Sequence, residues 1–306
     1  MCLRQHGSCS IQQTTIRKAD MMDFTLREWV RMARQYGTIA QAAVSAQAAE
    51  SGVSEEVIRA TMTHHLHCMQ EAIRNGLDEK MRSVTGLAGG QAALMLRYYQ
   101  QGNALCGSLL GKAEVYALAT AECNACMGKI VAAPTAGACG ILPGAIIAMM
   151  EEKGVTEAQA VEALFVAAAV GQSIATQASI SGAEGGCQAE CGSAAAMAAA
   201  ALTHLQGGNA QQCADAAAFA LMNLLGLVCD PVGGLVEVPC VYRNVGSSGV
   251  AFTAADMVLS GICCPIDPDE VVLAMKEVGD ALPSSLRETG EGGCAACGSI
   301  CARLRF

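Results

Sequence analysis

The stretch CGSAAAMAAAALTHLQ, residues 191–206, places small apolar side chains on nearly every face of a helix. Alanine has the highest intrinsic helix propensity, and a helix that is apolar all round is buried by neighbouring elements on all sides. Residues 157–172 have the same apolar character on nearly every face. These two segments predict a large helical domain whose core consists of buried, alanine-rich helices.

The composition of the whole chain favours the same architecture. Of the 306 residues, 52% are hydrophobic but only 4% are aromatic, so Ala, Leu, Val, Ile and Met must build the core. Such a composition favours closely packed helices, because sheets prefer aromatic and β-branched side chains. The segment LVEVPCVY (235–242) alternates as a strand would, but Pro239 interrupts it, and we interpret it as an extended loop. The predicted fold class is therefore all-α.

Helix starts are predicted by capping residues. In four places a cap oxygen precedes by three positions a side chain that can reach back to the cap amide. Ser54 predicts a further start, before a helix through residues 57–75. The four pairs are Thr25 with Glu28, Thr156 with Gln159, Asn209 with Gln212, and Asp267 with Glu270, which predict starts near residues 26, 157, 210 and 268.

Charge and cysteine content exclude several classes of protein. The chain has 19 basic and 28 acidic residues and no run of Lys or Arg, so we expect no nucleic-acid partner. An odd number of cysteines, 17, and an N-terminus without an apolar signal stretch favour a reducing, cytoplasmic location. No internal repeat or linker marks a boundary. We therefore expect a loose arm at 1–20 and one domain over 21–306.

One uncharged segment has the length of a membrane span. It runs from Ile130 to Met150 and reads IVAAPTAGACGILPGAIIAMM. Pro134, Pro143 and several glycines interrupt it, and Leu, Ile and Val are sparse in it. We interpret the segment as buried elements joined by glycine loops, and we expect no membrane partner.

Glycine-rich loops recur between the predicted helices. A helix that begins just after such a loop can turn backbone N–H groups toward an anion such as a carboxylate. A plain turn explains any one of these loops as well, so the loops alone identify no site. They are TGLAGG (85–90), PTAGACG (134–140), SGAEGG (181–186), PVGG (231–234), GSSG (246–249) and TGEGG (289–293).

Three cysteines occupy contexts that a buried hydrophobic residue does not need. Cys187 follows two glycines, Cys229 precedes Asp-Pro in VCDPVGG, and Cys240 follows proline in EVPC. Each is predicted at a helix end or on a loop, where its thiolate can turn toward a shared point. The intervals between them differ from those of zinc fingers, redox CxxC pairs and ferredoxins, so spacing alone assigns no metal.

Other cysteines compete for such a role, although most free cysteines are small buried hydrophobes. Cys191 lies four residues after Cys187, on the same face of a helix, and Cys123 with Cys126 forms a CxxC pair. The C-terminal GGCAACGSIC contains a CxxCxxxC pattern that superficially resembles iron–sulfur ligation but lacks the rest of a ferredoxin motif. Packing or exposed thiols explain that pattern as well. Its members are Cys294, Cys297 and Cys301.

Four long segments match the pattern of a known family. They are NACMGKIVAAPTAGACGILPG (124–144), SISGAEGGCQAECGSAAAMAAAAL (179–202), LLGLVCDPVGGLVEVPCVYRNVGSSGVAFTAADM (224–257) and DEVVLAMKEVGDALPSSLRETGEGGCAA (269–296). Together they resemble the α chain of the iron–sulfur-dependent L-serine dehydratases, also called L-serine ammonia-lyases, from about residue 22 onward. The resemblance implies that Cys187, Cys229 and Cys240 hold a 4Fe–4S cluster. It implies no such role for Cys191.

The resemblance also implies a reaction. Three cysteines leave one iron of the cluster without a protein thiolate, and that iron acts as a Lewis acid toward hydroxyl and carboxylate oxygens. L-Serine would lose water to give pyruvate and ammonia, without pyridoxal phosphate. The family needs an α and a β region, and nothing in this sequence resembles the β region, so we expect a separate β subunit in a hetero-oligomer. The chain ends in CARLRF, which leaves Cys301 as a remote candidate for a fourth ligand.

The sequence identifies the residues that bind and deprotonate the substrate less clearly than it identifies the cysteines. Loop chemistry and the resemblance together suggest Thr85, Gly86, Thr135, Gly137 and Ser181 as ligands of the substrate carboxylate or ammonium group. The family often has an acidic residue after the paired glycines of TGLAGGQ (85–91), and this chain does not. The catalytic base is not identified by sequence, and the β subunit is an alternative source for it. Candidates in this chain are His64, His65, His67, Lys129 and Glu184, with His204 in LTHLQ as a further histidine.

Two other functions fit the same residues. A relative with the same fold and cluster could act on another amino acid, above all as an L-cysteine desulfidase, in which sulfide leaves in place of water. A non-catalytic iron–sulfur redox or oxygen sensor would hold a cluster but would need no open iron. The sequence does not separate serine from cysteine or threonine as substrate, because each leaving group would face the same iron.

Overall fold

The computed structural model of the protein describes residues 24–102, 104–301 and 303. Within these residues there are thirteen α-helices and no β-strand, and the isolated pairing of Cys229 with Arg287 is the one β-bridge. The predicted all-α class is confirmed. The predicted arm at 1–20 and the side chain of Cys301 lie outside the described part. The helices are α1 (Leu26–Tyr36), α2 (Ile39–Ser51), α3 (Glu55–Gly76), α4 (Gln91–Gln100), α5 (Gly107–Ala125), α6 (Ile141–Lys153), α7 (Glu157–Gln177), α8 (Gly182–Gly185), α9 (Ser193–Leu205), α10 (Ala210–Leu224), α11 (Cys240–Leu259), α12 (Pro268–Ala281) and α13 (Gly298–Cys301).

All five predicted helix starts are confirmed by the capping geometry. Thr156 and Asn209 form complete capping boxes, in which the third residue of the helix also bonds back to the cap amide. Asp267 caps α12 through the backbone N–H of Asp269, with Pro268 as the first helical residue. Each such cap stabilises its helix by about 1 kcal/mol. The remaining two caps are Thr25 and Ser54.

The alanine-rich helix α9 lies at the centre of the core. Residues 193–203 are all buried, and the helix packs against α6, α7, α10 and α11. Small side chains let helices approach closely, and α5 and α6 show the limit of this approach. A Cβ atom at Gly140 would lie 2.2 Å from the carbonyl oxygen of Ala117, and one at Gly144 would lie 2.6 Å from that of Ala113. The high content of alanine and glycine therefore allows these helices to pack at short distances from one another.

One predicted loop is wrong. GSSG (246–249) lies inside α11, where Ser247 and Ser248 are buried and the Ser248 hydroxyl donates to the carbonyl oxygen of Asn244 at 2.9 Å. Packing of small residues against α5 and α9 outweighs the weak helix propensity of glycine and serine. The neighbouring LVEVPCVY contains no strand, as predicted, but its last three residues, from Cys240, already belong to α11.

The uncharged segment 130–150 is a loop followed by a short helix, as predicted. Pro134 lies in the loop, and α6 begins only at Ile141. Among the described helices, α7 alone is long and apolar enough to cross a membrane. Buried residues make up 67% of its apolar window, which is typical of the core helix of a folded domain.

Candidate active site

Three buried cysteines from separate segments form the centre of the candidate site. Cys187 precedes the π-helical turn Gln188–Gly192, Cys229 lies in the loop between α10 and α11, and Cys240 is the first residue of α11. Their exposed fractions are 3%, 3% and 9%. Burial and the nearby charge of Cys187 raise the pKa of Cys240 to about 12. Burial, Glu190 and Cys187 raise the pKa of Cys229. The structure thus brings together the three cysteines that the sequence singled out.

Backbone hydrogen bonds hold two of these cysteines in place. The Cys229 N–H donates to the carbonyl oxygen of Leu286 at 2.9 Å, and the Cys229 carbonyl accepts from the N–H of Glu288 at 2.7 Å. The N–H of Gln188, directly after Cys187, donates to the Leu227 carbonyl at 2.9 Å. The buried Gln188 side chain also bonds this loop to α12. The C-terminal segment therefore positions Cys229, although it is distant in sequence.

The pKa of Cys187 is lowered, whereas the pKa values of Cys229 and Cys240 are raised. A hydrogen bond from the Cys191 thiol and the positive charge of Arg243 hold the pKa of Cys187 below its usual range. The same hydrogen bond, together with burial, raises the pKa of Cys191, which therefore stays a neutral donor. Cys191 lies within the π-helical turn that follows Cys187, and such turns are found often at functional sites. Cys191 lies on the same face as Cys187, as its spacing predicted, and it supports the thiolate of Cys187.

Two glycine loops converge on Cys229 around a carboxyl group. Thr135 donates its hydroxyl hydrogen to Oε1 of Glu190 at 2.9 Å, and the Cys229 thiol lies 3.8 Å from Oε2 of the same carboxyl. A Cβ atom at Gly182 would lie 2.7 Å from Oε2 of Glu190 and 2.9 Å from the Cys229 sulfur, and one at Gly137 would lie 3.1 Å from Oε1. Burial raises the pKa of Glu190. Predicted Thr135 and Gly137 thus lie at the cysteine site.

Two residues on α11 complete the site, and the sequence analysis missed both. Arg243 pairs with the buried Asp230 at 2.7 Å. Asn244, which is fully buried, accepts from the Gly140 N–H at 2.8 Å and donates to the Cys240 carbonyl at 2.9 Å. The sequence contained one signal for both residues. They follow Cys240 by three and four positions, so a helix that begins at Cys240 places them on the same face as this cysteine. Glu190, three residues after Cys187, was missed in the same way.

Protein carboxylates already bind the loop TGLAGGQ (85–91). The Thr85 hydroxyl and the Ser83 hydroxyl both donate to Oε2 of buried Glu237, which lies between Cys229 and Cys240 in sequence. Buried Glu122 accepts from three backbone N–H groups at the start of α4, at 2.8–3.1 Å. Gly86 has a φ of +74°, which favours glycine there. The anion-binding groups predicted in this loop therefore have internal partners in this structure.

The candidate bases Glu184 and Lys129 are both exposed. Glu184 accepts from the Ser179 hydroxyl and borders a cavity of about 370 Å³ between α8 and α12, which Arg287 also lines. Ser181, the predicted substrate ligand in the same loop, precedes Gly182 and is half-buried. Ser181 is therefore the chain neighbour of Gly182, which packs against Cys229. Glu184 instead lines the cavity between α8 and α12.

The three histidines of α3 contact other residues than the three cysteines. His67 lies 2.8 Å from a carboxylate oxygen of Glu157, and His64 lies 3.6 Å from the sulfur of Cys68. His65 lines an apolar cavity of about 440 Å³ between α2, α3 and α7. The structure does not bring these candidate bases to the cysteine site.

The three cysteines can be compared with the ligands that a 4Fe–4S cluster needs. Within the described ranges, no three His, Cys, Asp or Glu side chains are arranged to hold a single metal ion. A 4Fe–4S cluster makes a different demand, because its thiolate ligands bind separate iron atoms. Cys187, Cys229 and Cys240 are three buried thiols from separate segments, and one of them is already biased toward the thiolate. Their chemistry fits such a cluster.

Comparisons with known proteins identify relatives of this chain. Residues 24–295 match the family described as serine dehydratase alpha chain. This range contains Cys187, Cys229, Cys240 and the loops that surround them.

Individual relatives are similar over most of the chain. A Bacillus subtilis protein named "Probable L-serine dehydratase, alpha chain" is 47% identical over 79% of this chain and 81% of its own length. The "L-serine dehydratase, alpha chain" of Peptoniphilus asaccharolyticus is 40% identical over 80% of this chain and 84% of its own. A longer Helicobacter pylori protein named "L-serine dehydratase" is 37% identical over 77% of this chain and 54% of its own length.

Proposed function

This chain belongs to the serine dehydratase alpha-chain family, and we propose that it is the α subunit of an L-serine dehydratase. The enzyme is a lyase that removes water from L-serine and yields pyruvate and ammonia. The convergence of buried Cys187, Cys229 and Cys240 beside the PTAG loop is the observation that carries this proposal. A purely structural core would not need a thiolate-stabilising arrangement at Cys187.

We propose that the three cysteines hold a 4Fe–4S cluster. When bound, the cluster supplies a Lewis acid for the departing hydroxyl group, because one iron lacks a protein thiolate. Cys187 suits this role because Arg243 and Cys191 stabilise its thiolate. Cys191 itself is a hydrogen-bond donor to a ligand sulfur, an arrangement that tunes iron–sulfur centres. Cys301 stays a remote alternative, in which a fourth thiolate would occupy the open iron.

The loops around Cys229 are proposed to bind the amino-acid part of the substrate. Thr135 and Ser181 would supply hydroxyl groups, and Gly137, which packs against Glu190, stays a candidate in the same loop as Thr135. Asn244 holds the PTAG loop against α11 through Gly140, so the hydroxyl of Thr135 is preorganised. A buried polar site strengthens such contacts because it excludes water. Thr85 and Gly86 stay candidates in the neighbouring loop.

The base removes the α-proton of serine, and the aminoacrylate product then tautomerises to an imine that water hydrolyses. His64, His65, His67, Lys129 and Glu184 stay the candidates in this chain. The three α3 histidines contact other residues than the cysteines, and Lys129 and Glu184 are exposed. These observations support the alternative that the β subunit supplies the base. Relatives named "alpha chain" support the existence of such a separate β subunit. A cytoplasmic location is proposed because an open-iron cluster and free thiols need a reducing compartment.

The test is the iron content and visible spectrum of anaerobically purified protein, with and without a co-expressed β chain, followed by addition of L-serine. We expect about four irons per chain, a spectrum that changes with serine, and loss of iron in Cys187→Ser. Cys213→Ser is the matched control, because Cys213 is equally buried but lies in the core on α10. It should keep the iron.

Other outcomes discriminate between the remaining functions. Iron-free wild-type protein would refute the cluster. A cluster whose spectrum ignores serine, threonine and cysteine would indicate a redox or oxygen sensor. Faster turnover of L-cysteine than of L-serine would indicate a desulfidase with the same site.

A further inference from the structure

The C-terminal CxxC pair, Cys294 and Cys297, lies on the surface beside the candidate active site. Most described cysteines are buried, whereas both thiols of this pair are exposed. Cys123 and Cys126 have the same CxxC spacing, but Cys123 is fully buried and its thiol contacts the Lys129 carbonyl. Small thiol reagents in solution can therefore reach the C-terminal pair, whereas they cannot reach Cys123 without local unfolding, although Cys126 is partly exposed.

The backbone already holds the two exposed cysteines at a bridging distance. Residues Gly293–Ala296 form a 3₁₀-helix, and the N–H of Cys297 donates to the carbonyl oxygen of Cys294 at 3.2 Å. A turn closed by this type of bond keeps its first and fourth Cα atoms within about 7 Å. Disulfides span Cα separations of about 4.4–6.8 Å. A disulfide here needs rotation of side chains and little change of the backbone.

The turn is also anchored to the rest of the fold. The N–H of Cys294 donates to Oδ2 of Asp230 at 2.6 Å. Gly293, with a φ of +59°, lies so close to Asp230 that a Cβ atom there would be 2.2 Å from the same oxygen. Asp230 directly follows Cys229 and pairs with Arg243, which borders Cys187. Asp230 therefore links the exposed pair to two of the proposed cluster ligands. It is the chain neighbour of Cys229, and it binds the arginine that borders Cys187.

We propose that Cys294 and Cys297 form a redox-active dithiol that exchanges with small disulfides of the glutathione class. The Cys297 thiolate attacks a sulfur of the small disulfide, so that a mixed disulfide forms and one thiolate leaves. Cys294 then loses its proton to water and attacks the Cys297 sulfur, which forms the Cys294–Cys297 disulfide and releases the second thiol. The protein loses two electrons and two protons, and one disulfide becomes two thiols.

The surroundings determine the order of the two attacks. Partial desolvation of its sulfur and a hydrogen bond to Asp230 raise the pKa of Cys294, although the residue as a whole is exposed, so its thiolate is scarce in the reduced protein. The exposed Cys297 lies at the end of the 3₁₀-helix and meets solvent directly. Cys297 is therefore the attacking thiol and Cys294 the resolving one. This inference does not depend on iron or on the proposed lyase activity.

The test uses the full chain, purified anaerobically and equilibrated with mixtures of reduced and oxidised glutathione. After acid quenching and alkylation with N-ethylmaleimide, trypsin releases Cys294, Cys297 and Cys301 together in the peptide 288–303. We expect this peptide to lose two hydrogen masses and to carry a single alkyl group, on Cys301. Its oxidised fraction should exceed by about tenfold that of the peptide 113–129, which contains Cys123 and Cys126.

Three variants identify the pair. Cys301→Ser should keep the disulfide and lose the alkyl group, whereas Cys294→Ser should lose the disulfide and accumulate glutathione on Cys297. Cys297→Ser should accumulate little glutathione, because the resolving thiol is a poor nucleophile. A peptide that stays fully alkylated at every glutathione ratio overturns the proposal. So does a disulfide that survives in Cys297→Ser, or equal oxidation of the peptide 113–129.

Discussion

Gly182→Ala tests the closest packing in the proposed active site. The added Cβ would lie 2.7 Å from Oε2 of Glu190 and 2.9 Å from the sulfur of Cys229. An ordinary contact distance of about 3.5 Å requires these atoms to move apart by roughly 0.6–0.8 Å. Overpacking of this kind costs about 1–3 kcal/mol. The movement also disturbs the hydrogen bond between Glu190 and Thr135.

The assay is thermal unfolding of anaerobically purified protein, with iron content and serine turnover measured on the same samples. At about 2–4 °C per kcal/mol, the melting temperature of Gly182→Ala should fall by roughly 2–12 °C. Gly246→Ala is the matched control, because Gly246 lies inside α11 and no atom lies within 4 Å of a Cβ there. It should be more stable by about 0.5–1 kcal/mol. A Gly182→Ala protein that melts no lower than the wild type and keeps its iron would refute the packing argument.

Further variants test other parts of the site and the core. Thr135→Val should keep the iron but raise the KM for serine by about fivefold, the loss of roughly one hydrogen bond, and an unchanged KM would exclude Thr135 from substrate binding. Asn244→Ala removes bonds to Gly140 and Cys240 in a buried site, so unfolding by heat should begin several degrees lower, and an unchanged melting curve would contradict this role. Burial lowers the pKa of His204, so the folded protein binds this proton more weakly than the unfolded chain does. Wild-type stability should therefore fall as the pH drops from about 6.5 toward the lower folded-state pKa, and His204→Gln should show a flatter melting-temperature profile over that range.

The helical architecture was predictable because its signals are local. Alanine-rich segments that are apolar on all faces can only be buried helices, and α9 is the clearest example. Capping oxygens act on backbone groups two or three residues away, so Thr156 and Asn209 marked helix starts without any knowledge of the tertiary structure. The GSSG segment shows the limit of local reasoning. Its glycines and serines suggest a loop, but contacts with α5 and α9 keep it helical.

The candidate site was predictable only in part. The three cysteines stood out because glycine and proline contexts are unusual for buried thiols. Glu190 and Arg243 gave no comparable signal, since their partners come from other segments of the chain. Glu190 meets Thr135, which lies 55 residues away in sequence, and Arg243 meets Asp230 across a loop. The tertiary structure also shows that the Thr85 hydroxyl donates its hydrogen bond to Glu237.

By itself the sequence determined the all-α class and five helix starts, and its resemblance to a known family pointed to the three cysteines of the proposed cluster. These depend on intrinsic propensity, on short-range hydrogen bonds and on unusual local contexts. The tertiary structure decided which side chains surround those cysteines, because burial and electrostatic contact depend on how distant segments pack. The pKa of Cys187 is lowered first by the local hydrogen bond from Cys191, but the charge of Arg243 reaches Cys187 only because α11 packs against the π-helical turn. Chemistry at the site is therefore a property of the packed helices, and composition alone does not contain it.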